Sequence, residues 1–409
     1  MKLTAILGPA GTGKTTRIRA LDPATVTMTA TTGSAAVNMG QGVTTVNSAL
    51  GFFGEIRDSQ IYPMAGKITK LMQGGCTTLV IDEISMMDAH TLDAVVRAVE
   101  IANVGTHGNY LDLVVTGDFC QLPPVKGRFA FMADAWKRFH VETLRTVYRQ
   151  TDPAMLEALE SARKGRGPDT VLKLQKAGVQ FADKRDEQFE GVTVAPTNAT
   201  ADTMNTARFL QILAPSTGYK SFARGVQKSE WAHIPNELFL KVGARVMILA
   251  NEPGTFGYVN GDQGTVVELG EKTVTVDVER INGADLEVFA VDIPYITREN
   301  TSPEKPPSGQ ALWDEKRERW VLGSITYMPL RLGWATTVHK SQGLTLDRVQ
   351  IDARQSWIDP NGRHCGAGSP GMQYVALSRC RNPQGIRIVS SLADYAKRVR
   401  TSAEVAQWV

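Results

Sequence analysis

Short, largely apolar runs that end in polar or glycine residues mark the first third of the sequence. They are Leu3–Leu7, Thr78–Ile81 and Leu113–Val115. Apolar runs without alternation are typical of strands buried on both faces of a parallel sheet. Ala89–Ala102, between two of these runs, has apolar positions at helical spacing. The pattern predicts an α/β domain.

The same signal returns in the second half of the chain. Val192–Ala195, Val349–Ile351 and Ile386–Val389 are again short apolar runs. Because they are far from the first set in sequence, they predict a second parallel sheet rather than an extension of the first.

A different pattern separates these later strands. Four short β-like segments follow one another with Asn-Gly turn signals at 260–261 and 282–283, namely Arg245–Ile248, Gly264–Val267, Thr273–Val278 and Leu286–Ile293. Short strands joined by such turns are typical of antiparallel hairpins. We therefore expect a small β-barrel inserted into the α/β host, followed by a Pro/Ser-rich loop over Thr301–Gln310.

Composition fits this multidomain interpretation. A chain of 409 residues is longer than one hydrophobic core usually serves, and 42% hydrophobic with 21% charged residues is ordinary for a globular protein. No apolar run approaches the roughly 18–20 residues that span a bilayer, so we expect no membrane association. The net charge is +3, from 45 Lys+Arg and 42 Asp+Glu. That excess neither requires nor excludes a nucleic-acid partner, because binding depends on where the charge lies.

The cysteines and the first residues indicate a compartment. Cys76, Cys120, Cys365 and Cys380 form no C-x-x-C pair, so we expect free thiols in a reducing environment rather than a structural metal. Met1-Lys2 leads directly into an apolar run and a glycine-rich loop, without a secretory leader. We expect a cytoplasmic protein of a bacterial or phage-infected cell.

A phosphate-binding loop follows the first predicted strand. The pattern G-x-x-x-x-G-K-[ST] is fulfilled by Gly8, Pro9, Ala10, Gly11, Thr12, Gly13, Lys14 and Thr15, with Thr16 continuing into the helix. Such a loop turns backbone N–H groups toward a phosphate. Lys14 would contact the β- and γ-phosphates, and the Thr15 hydroxyl would bind Mg²⁺. The alternative, a glycine-rich turn without a ligand, does not explain the flanking strand and helix.

Two carboxylates follow the strand Thr78–Ile81. Asp82 and Glu83 would lie at the carboxyl end of the sheet, where ligands bind in open α/β folds. Asp82 can hold Mg²⁺ through the waters of the metal, and Glu83 can orient and deprotonate an attacking water. Taken alone, the pair also fits an acidic helix N-cap, but downstream of a phosphate loop it indicates hydrolysis.

Phosphoryl transfer also needs a γ-phosphate sensor and positive charge. Gln121, in the loop after Leu113–Val115, is suited to the first role, and Arg149 and Arg379 to the second. The alternative for each arginine is a solvated surface charge or an ion pair.

The order of these motifs resembles superfamily 1B helicases of the RecD-like and Pif-like group, which includes the phage Dda helicase. The resemblance extends from Gly8 to about Val389 and is carried by GPAGTGKTT, LVIDEISMMD, VTGDFCQLPPV, VYRQ, TTVHKSQGLTLD and YVALSRCR. A phosphate loop alone indicates an NTPase, whereas this set in this order indicates a helicase.

The resemblance implies an α/β fold of two RecA-like P-loop domains with ATP and Mg²⁺ in the cleft between them. It assigns 1–139 to the first RecA-like domain, with a strand-separating pin at about 53–75. It assigns 140–242 and 326–409 to the second, and 243–325 to an inserted SH3-like domain, whose alternative is a barrel that merely props the cleft. Arg149 and Arg379 look like arginine fingers of the second domain, and Gly343 like a nucleotide contact. Phe52 to Tyr62 fills the pin interval, and a buried core there is the alternative to an exposed pin.

The resemblance also implies DNA contacts. The candidates are Thr29, Thr31, Thr32 and Asn47 in the first domain, and Thr197, Asn198, Thr337, His339 and Lys340 in the second. Asn47 departs from the family, in which His is common. The alternatives are a turn after the strand for Thr197 and Asn198, and a core histidine for His339. The family's helix and glutamine upstream of the phosphate loop have no counterpart before Gly8, so we expect weaker discrimination between nucleobases. The alternative is that another segment of the chain, or a truncated sequence, explains the missing part.

The leading hypothesis is an ATP-dependent DNA helicase that moves on single-stranded DNA. The 5′-to-3′ polarity comes from the resemblance alone, and RNA is not excluded as a track. We expect binding to single strands and to junctions of single- and double-stranded DNA, a monomer, and single-strand-binding or replication and repair proteins as partners. One alternative is a translocase that strips or remodels DNA-bound proteins. A second is a RecD-like subunit of a recombination or repair complex.

Overall fold

The computed structural model describes residues 1–39, 43–52, 54, 56–106, 108–227, 231, 234–250, 257–258, 262–282, 285–302, 311–315, 319–342, 344–360 and 362–409. The chain divides into two compact units. One comprises Met1–Asp202 with Ala335–Val409, and the other Thr203–Trp334. The second unit contains the range 243–325 in which the sequence predicts the insertion.

The first unit begins with a parallel sheet and its helices. In order across the sheet the described strands are β3 (Thr44–Thr45), β2 (Val26–Ala30), β4 (Thr78–Asp82), β5 (Asp112–Gly117), β1 (Leu3–Leu7) and β6 (His140–Thr143). The helices in this segment are α1 (Lys14–Arg19), α2 (Gly33–Asn38), α3 (Val46–Leu50), α4 (Asp58–Gln73) and α5 (Ala89–Asn103). Leu79, Ile81 and Val115 are fully buried, which explains why these strands are apolar runs.

A second parallel sheet completes the first unit. Its described strands, in order, are β20 (Ala335–Thr337), β8 (Val192–Ala195), β21 (Val349–Asp352), β24 (Ile386–Val389) and β7 (Gln180–Ala182). With it are α6 (Pro153–Arg163), α7 (Gly167–Lys176), α9 (Met372–Leu377), α10 (Leu392–Arg398) and the hairpin of β22 (Ser356–Ile358) and β23 (His364–Gly366). Helix α8 (Asn198–Gln211) leads out of this unit. Two parallel sheets in one chain confirm the predicted α/β class.

The unit Thr203–Trp334 is antiparallel throughout its described strands. Its largest described sheet has the order β15 (Asp285–Pro294), β14 (Thr273–Asn282), β13 (Gln263–Leu269), β12 (Arg245–Ile248) and β19 (Leu330–Leu332). A two-stranded sheet pairs β11 (Glu237–Lys241) with β9 (Ser216–Lys220). A four-stranded sheet contains β10 (Phe222–Gly225), β18 (Arg319–Tyr327) and β16 (Ile296–Ser302) in that order, with β17 (Leu312–Asp314) also paired to β18. Val246, Val276 and Ile293 are fully buried in its core.

Two boundaries differ from the sequence predictions. His140–Thr143 pairs in parallel with β1, so the first sheet extends past residue 139, where the predicted first domain ends. The mixed sequence His-Val-Glu-Thr gave no apolar run because an edge strand is covered on one side only. The predicted loop Thr301–Gln310 begins inside β16, which ends at Ser302, and its remaining residues, like the turns at 260–261 and 283, lie outside the described residues.

Among the residues that the structure describes, none of the helices combines the length and apolar character needed to cross a lipid bilayer.

Candidate nucleotide site and nucleic-acid surface

The phosphate loop connects β1 to α1, as the sequence predicts. Gly11 and Gly13 have φ angles of 82° and 78°, a region that glycine occupies without steric cost. A Cβ atom on Gly11 would also lie 2.7 Å from the Cβ of Arg149. Glycine at position 11 therefore serves both the turn and the close approach of the arginine segment.

The Lys14 side chain is hydrogen-bonded to the backbone of the phosphate loop. Its Nζ donates hydrogen bonds to the carbonyl oxygens of Gly8 at 2.7 Å and Pro9 at 2.9 Å. Burial lowers the pKa of Lys14, and the nearby Asp118, Glu83 and Asp82 carboxylates oppose that shift. The ammonium group thus lies inside the loop, where a phosphate would bind.

Asp82 ends β4 beside the loop. Its Oδ1 accepts hydrogen bonds from the Thr116 hydroxyl and from the backbone N–H of Glu83. Its Oδ2 lies 3.4 Å from the Thr15 hydroxyl oxygen. The arrangement leaves two hard oxygen donors side by side at the mouth of the phosphate loop, a donor set that suits Mg²⁺.

Glu83 has an unusual backbone. Among the described residues it is the only non-glycine with a positive φ angle, 57°, and such strain often accompanies functional positions. The Thr31 hydroxyl donates to its carbonyl oxygen at 2.9 Å. Burial, and then the charge of Asp82, raise the pKa of Glu83. Its Oε2 is buried without a hydrogen-bond partner in the described structure, so the carboxylate is held ready to act as a base.

These groups surround one cavity of about 970 Å³. The described lining includes residues 10–17 of the loop and its helix, Asp82, Glu83, Gln121, Tyr148, Arg149 and Arg379. The volume lies at the upper end of the range for small-molecule and cofactor sites. Every catalytic residue predicted from the sequence therefore reaches the same space.

Gln121 faces the cavity from the loop after β5. Its side chain is buried, and its Oε1 has no partner among the described residues. An unsatisfied buried amide oxygen is costly unless a ligand or water completes it. This placement is suited to sensing a terminal phosphate.

The two arginines approach from different segments. Arg149 lies in the connection between β6 and α6, not on the second sheet, and its Nη1 donates to the Ser378 carbonyl at 3.1 Å. Arg379 follows α9, and its Nε and Nη2 donate to the Val375 carbonyl at 3.0 Å and the Ser378 hydroxyl at 2.7 Å. Burial, followed by repulsion from Arg149, lowers the pKa of Arg379 to about 9. Burial also lowers the pKa of Arg149. Two buried cations this close together favour an anion between them.

A buried polar cluster of Asp118, Arg163 and Tyr374 was not predicted from the sequence. Asp118 Oδ1 pairs with Arg163 Nη2 at 3.1 Å. Asp118 Oδ2 accepts a hydrogen bond from the Tyr374 hydroxyl at 2.8 Å. Asp118 and Tyr374 stand within quoted motifs, which was the available signal, but no spacing rule connects residues 256 positions apart.

Cys120 lies between that cluster and Gln121. Its side chain is buried, and its backbone N–H donates to Asp118 Oδ1 at 3.1 Å. Burial, then the Asp118 charge, raise the pKa of the Cys120 thiol to about 12.

The predicted DNA-contacting threonines of the first sheet have local partners. Thr29 is fully buried, and its hydroxyl donates to the Val80 carbonyl at 2.7 Å, so it is not available to a nucleic acid. The Thr31 hydroxyl supports Glu83, and the Thr32 hydroxyl accepts from the Ala35 N–H at 3.2 Å at the start of α2. Both remain half-buried, and Asn47 in α3 is likewise half-buried.

The second-sheet candidates divide in the same way. The Thr197 hydroxyl accepts from the Thr200 N–H at 3.2 Å, in the manner of a helix cap, whereas Asn198 is exposed. Thr337 is buried, which removes it from the candidate surface, whereas His339 and Lys340 are exposed. Partial burial lowers the pKa of His339, so its ring is neutral at pH 7. Gly343 lies outside the described residues.

The pin interval also contains both alternatives. Phe52 is buried, and Phe53 lies outside the described residues. Tyr62 on α4 is 71% exposed.

Comparisons of sequence point to one family. Residues 1–184 match the family described as AAA domain. The ATP-dependent DNA helicase Pif1 of Bdellovibrio bacteriovorus is 28% identical, over 94% of this chain and 83% of that protein. The human ATP-dependent DNA helicase PIF1 is 31% identical over 93% of this chain, which spans only 57% of the human protein.

Solved structures agree. The crystal structure of Pif1 helicase from Candida albicans has a TM-score of 0.76 and 25% identity, covering 100% of this chain and 95% of that one. The structure of Bacteroides Pif1 bound to single-stranded DNA has a TM-score of 0.67 and 26% identity, covering 99% and 92%.

The fold and the site define a P-loop NTPase built on two RecA-like sheets, with arginines from beyond the first sheet directed at the nucleotide cavity. In each comparison of whole chains above, the similarity covers at least 93% of this sequence. Over nearly its whole length the chain is similar to Pif1 helicases. Its similarity to the Dda helicase stays a prediction.

Proposed function

We propose that this protein is an ATP-dependent DNA helicase that moves along single-stranded DNA and separates duplex DNA. The observation that carries the proposal is the 970 Å³ cavity, in which the phosphate loop, the Asp82–Glu83 pair and Arg379 meet. A site assembled from both sheets can change with each hydrolysis cycle and so drive relative motion. The names of the relatives support helicase activity. The proposed polarity, 5′ to 3′, follows the family resemblance.

The residues of the chain divide the work of hydrolysis. The backbone N–H groups of residues 11–15 and the Lys14 ammonium bind the phosphates, and Gln121 senses the terminal one. Glu83, with its raised pKa, orients the attacking water and accepts its proton. Arg149 and Arg379 neutralise charge that develops on the transferred group, a contribution of about 10³–10⁵ in rate for arginine fingers.

Thr15 and Asp82 would hold Mg²⁺. Their oxygens lie 3.4 Å apart, and when bound the metal would neutralise charge on the β- and γ-phosphates. An ADP–AlF3 complex of Bacteroides Pif1 with single-stranded DNA supports a phosphoryl-transfer site in the family.

Single-stranded DNA, and junctions of single- and double-stranded DNA, are the proposed substrates. Exposed Asn198, His339 and Lys340 form the proposed contact surface, with half-buried Thr31, Thr32, Asn47 and Thr197 as lesser candidates. The neutral His339 ring is suited to stacking or hydrogen bonding rather than to an ionic contact. Thr29 and Thr337 are left out because they are buried.

The remaining features of the proposal concern organisation. We assign the range 243–325, within the antiparallel unit Thr203–Trp334, to an SH3-like accessory domain, and we expect a monomer. The four cysteines are free, which supports a reducing location such as the bacterial or phage-infected cytoplasm. Single-strand-binding or replication and repair proteins are the proposed partners.

The central test is ATP hydrolysis with and without single-stranded DNA, for wild type and Lys14→Ala. We expect DNA to stimulate wild-type hydrolysis and Lys14→Ala to abolish it, because the ammonium group contacts the phosphates. Lys176→Ala, at an exposed position at the end of α7, is the matched control and should behave as wild type. Wild-type hydrolysis that ignores DNA would refute the motor. Translocation without duplex unwinding would instead select a protein-displacing translocase.

A further inference from the structure

Tyr374 lies on α9 and reaches the phosphate loop. Its hydroxyl oxygen accepts a hydrogen bond from the Ala10 backbone N–H at 2.8 Å. The same hydroxyl donates to Asp118 Oδ2 at 2.8 Å. One side chain from the second sheet's helix thus joins two loops of the first sheet, those that follow β1 and β5.

The phenol is fixed in its direction of donation. Tyr374 is 2% exposed, and burial, followed by the Asp118 charge, raises its pKa well above the ordinary value. It therefore remains protonated and can only donate to the carboxylate while accepting from the amide. Asp118 is in turn held by Arg163, whose Nη2 also donates to the Trp408 carbonyl at 2.7 Å.

The position of α9 determines the position of Arg379. The guanidinium is attached to the last turn of that helix, through the Val375 carbonyl and the Ser378 hydroxyl. The residue that precedes α9, Gly371, packs closely against the loop that contains Gln121. A Cβ atom on Gly371 would lie 2.3 Å from the Gln121 carbonyl oxygen. Any shift of α9 against the first sheet therefore moves Arg379 relative to the phosphates.

We propose that Tyr374 is a positioning residue for Arg379, fixing α9 to the phosphate loop and to Asp118 so that the guanidinium lies in the nucleotide cavity. The inference rests on the proposed function. It assigns to the Tyr374 hydroxyl no contact with nucleotide. Its effect should appear in turnover rather than in nucleotide affinity, because binding energy resides in the loop while arginine alignment matters for the transition state.

The test uses Tyr374→Phe, which removes the hydroxyl and keeps the ring. With saturating single-stranded DNA we expect kcat to fall about 10- to 100-fold, the range for a small misplacement of a catalytic group, and KM for ATP to change less than about threefold. Tyr395→Phe is the matched control. Tyr395 is fully buried, and its hydroxyl has no hydrogen-bond partner among the described residues, so the variant should retain wild-type turnover.

A double-mutant cycle separates positioning from general support. Single-turnover hydrolysis is measured for Arg379→Ala with and without Tyr374→Phe. If Tyr374 acts through Arg379, the second substitution should change the rate by less than about twofold. An equal loss in both backgrounds would overturn the proposal, because the hydroxyl would then support the site independently of the arginine.

Two further outcomes are distinguishable. Wild type without DNA-stimulated hydrolysis would refute the proposed function, whereas an active wild type matched by an equally active Tyr374→Phe would refute only the positioning role. Should Tyr374→Phe fail to fold, Arg163→Lys, which keeps the charge but loses the two-nitrogen grip on Asp118, replaces it in the same cycle. A loss in Arg163→Lys that persists undiminished without Arg379 would overturn the proposal.

Discussion

Arg379 is a buried cation whose surroundings are incomplete. Burial, followed by the charge of Arg149, lowers the pKa of Arg379, and Glu83 and Tyr374 oppose that shift. A buried charge without full compensation is costly. The negative charge that develops on the transferred γ-phosphoryl group would supply the missing compensation, so the interaction is strongest in the transition state.

We therefore expect Arg379→Ala to reduce DNA-stimulated turnover at least about 10³-fold while nucleotide affinity changes much less. Turnover and the affinity for a non-hydrolysable ATP analogue are the two measurements. Arg97→Ala provides the control, because the Arg97 side chain is 61% exposed and forms only a 3.6 Å surface pair with Asp58. Near-normal turnover in Arg379→Ala would remove this residue from the mechanism.

The loop residues that line the cavity could be predicted from the sequence because they follow a local pattern. The glycines, Lys14 and Thr15 occupy fixed spacings in a strand–loop–helix unit. Asp118, Arg163 and Tyr374 escaped because only the tertiary fold brings them together. Thr29 was wrongly placed on a surface, since a small hydroxyl in a strand satisfies itself by bonding a neighbouring carbonyl as readily as by facing solvent.

Helix α4 presents one face to the core and one aromatic ring to solvent. Ile61, Met64 and Ile68 are buried, whereas Tyr62 is 71% exposed. An exposed ring can stack on a terminal base pair, a contact worth about 1–3 kcal/mol per base. Among the described residues of the predicted interval 53–75, Tyr62 is therefore an exposed aromatic candidate for the pin.

For Tyr62→Ala we expect slower unwinding of a forked duplex, by about 5-fold or more, with little change in hydrolysis during single-strand translocation. Lost stacking affects strand separation and leaves the nucleotide site intact. Parallel unwinding and translocation assays are the measurements. Equal effects in both assays would show that Tyr62 contacts the track rather than the junction.

The strands that could be predicted from the sequence are those whose burial produces a run of apolar residues. Strands β1 and β8 appear in the sequence as apolar runs because both faces are covered. Strands β6, β9 and β10 did not, since their side chains are largely exposed. Their pairing depends on strands that are distant in sequence, so no local hydrophobic periodicity indicates it.

The whole molecule carries a net charge of only +3. Some of its basic side chains are engaged in ion pairs, as in the pairs of Arg163 with Asp118 and Arg245 with Glu279. A translocase must release its DNA in each cycle, so a few cationic contacts to the phosphates are sufficient. A net charge of +3, which by itself neither requires nor excludes a nucleic-acid partner, is compatible with a local DNA-binding groove.

Binding of single-stranded DNA should accordingly depend weakly on salt. We expect log affinity to fall with log salt concentration at a slope of about −2 to −4, corresponding to a few phosphates neutralised at about 0.7 per phosphate. Fluorescence titrations at several salt concentrations measure it, and Lys340→Ala should make the slope shallower. A slope near −10 would indicate an extensive basic surface instead.

The raised pKa of Cys120 has a consequence for oxidative chemistry. Oxidants attack the thiolate rather than the thiol, and a buried group with a pKa of about 12 is almost wholly protonated in the cell. Cys120, next to Gln121, is thus unreactive toward such oxidants, although it lies beside the charged Asp118. The loop that would report the γ-phosphate should remain functional under oxidative stress, when exposed thiols such as those of redox sensors are modified first.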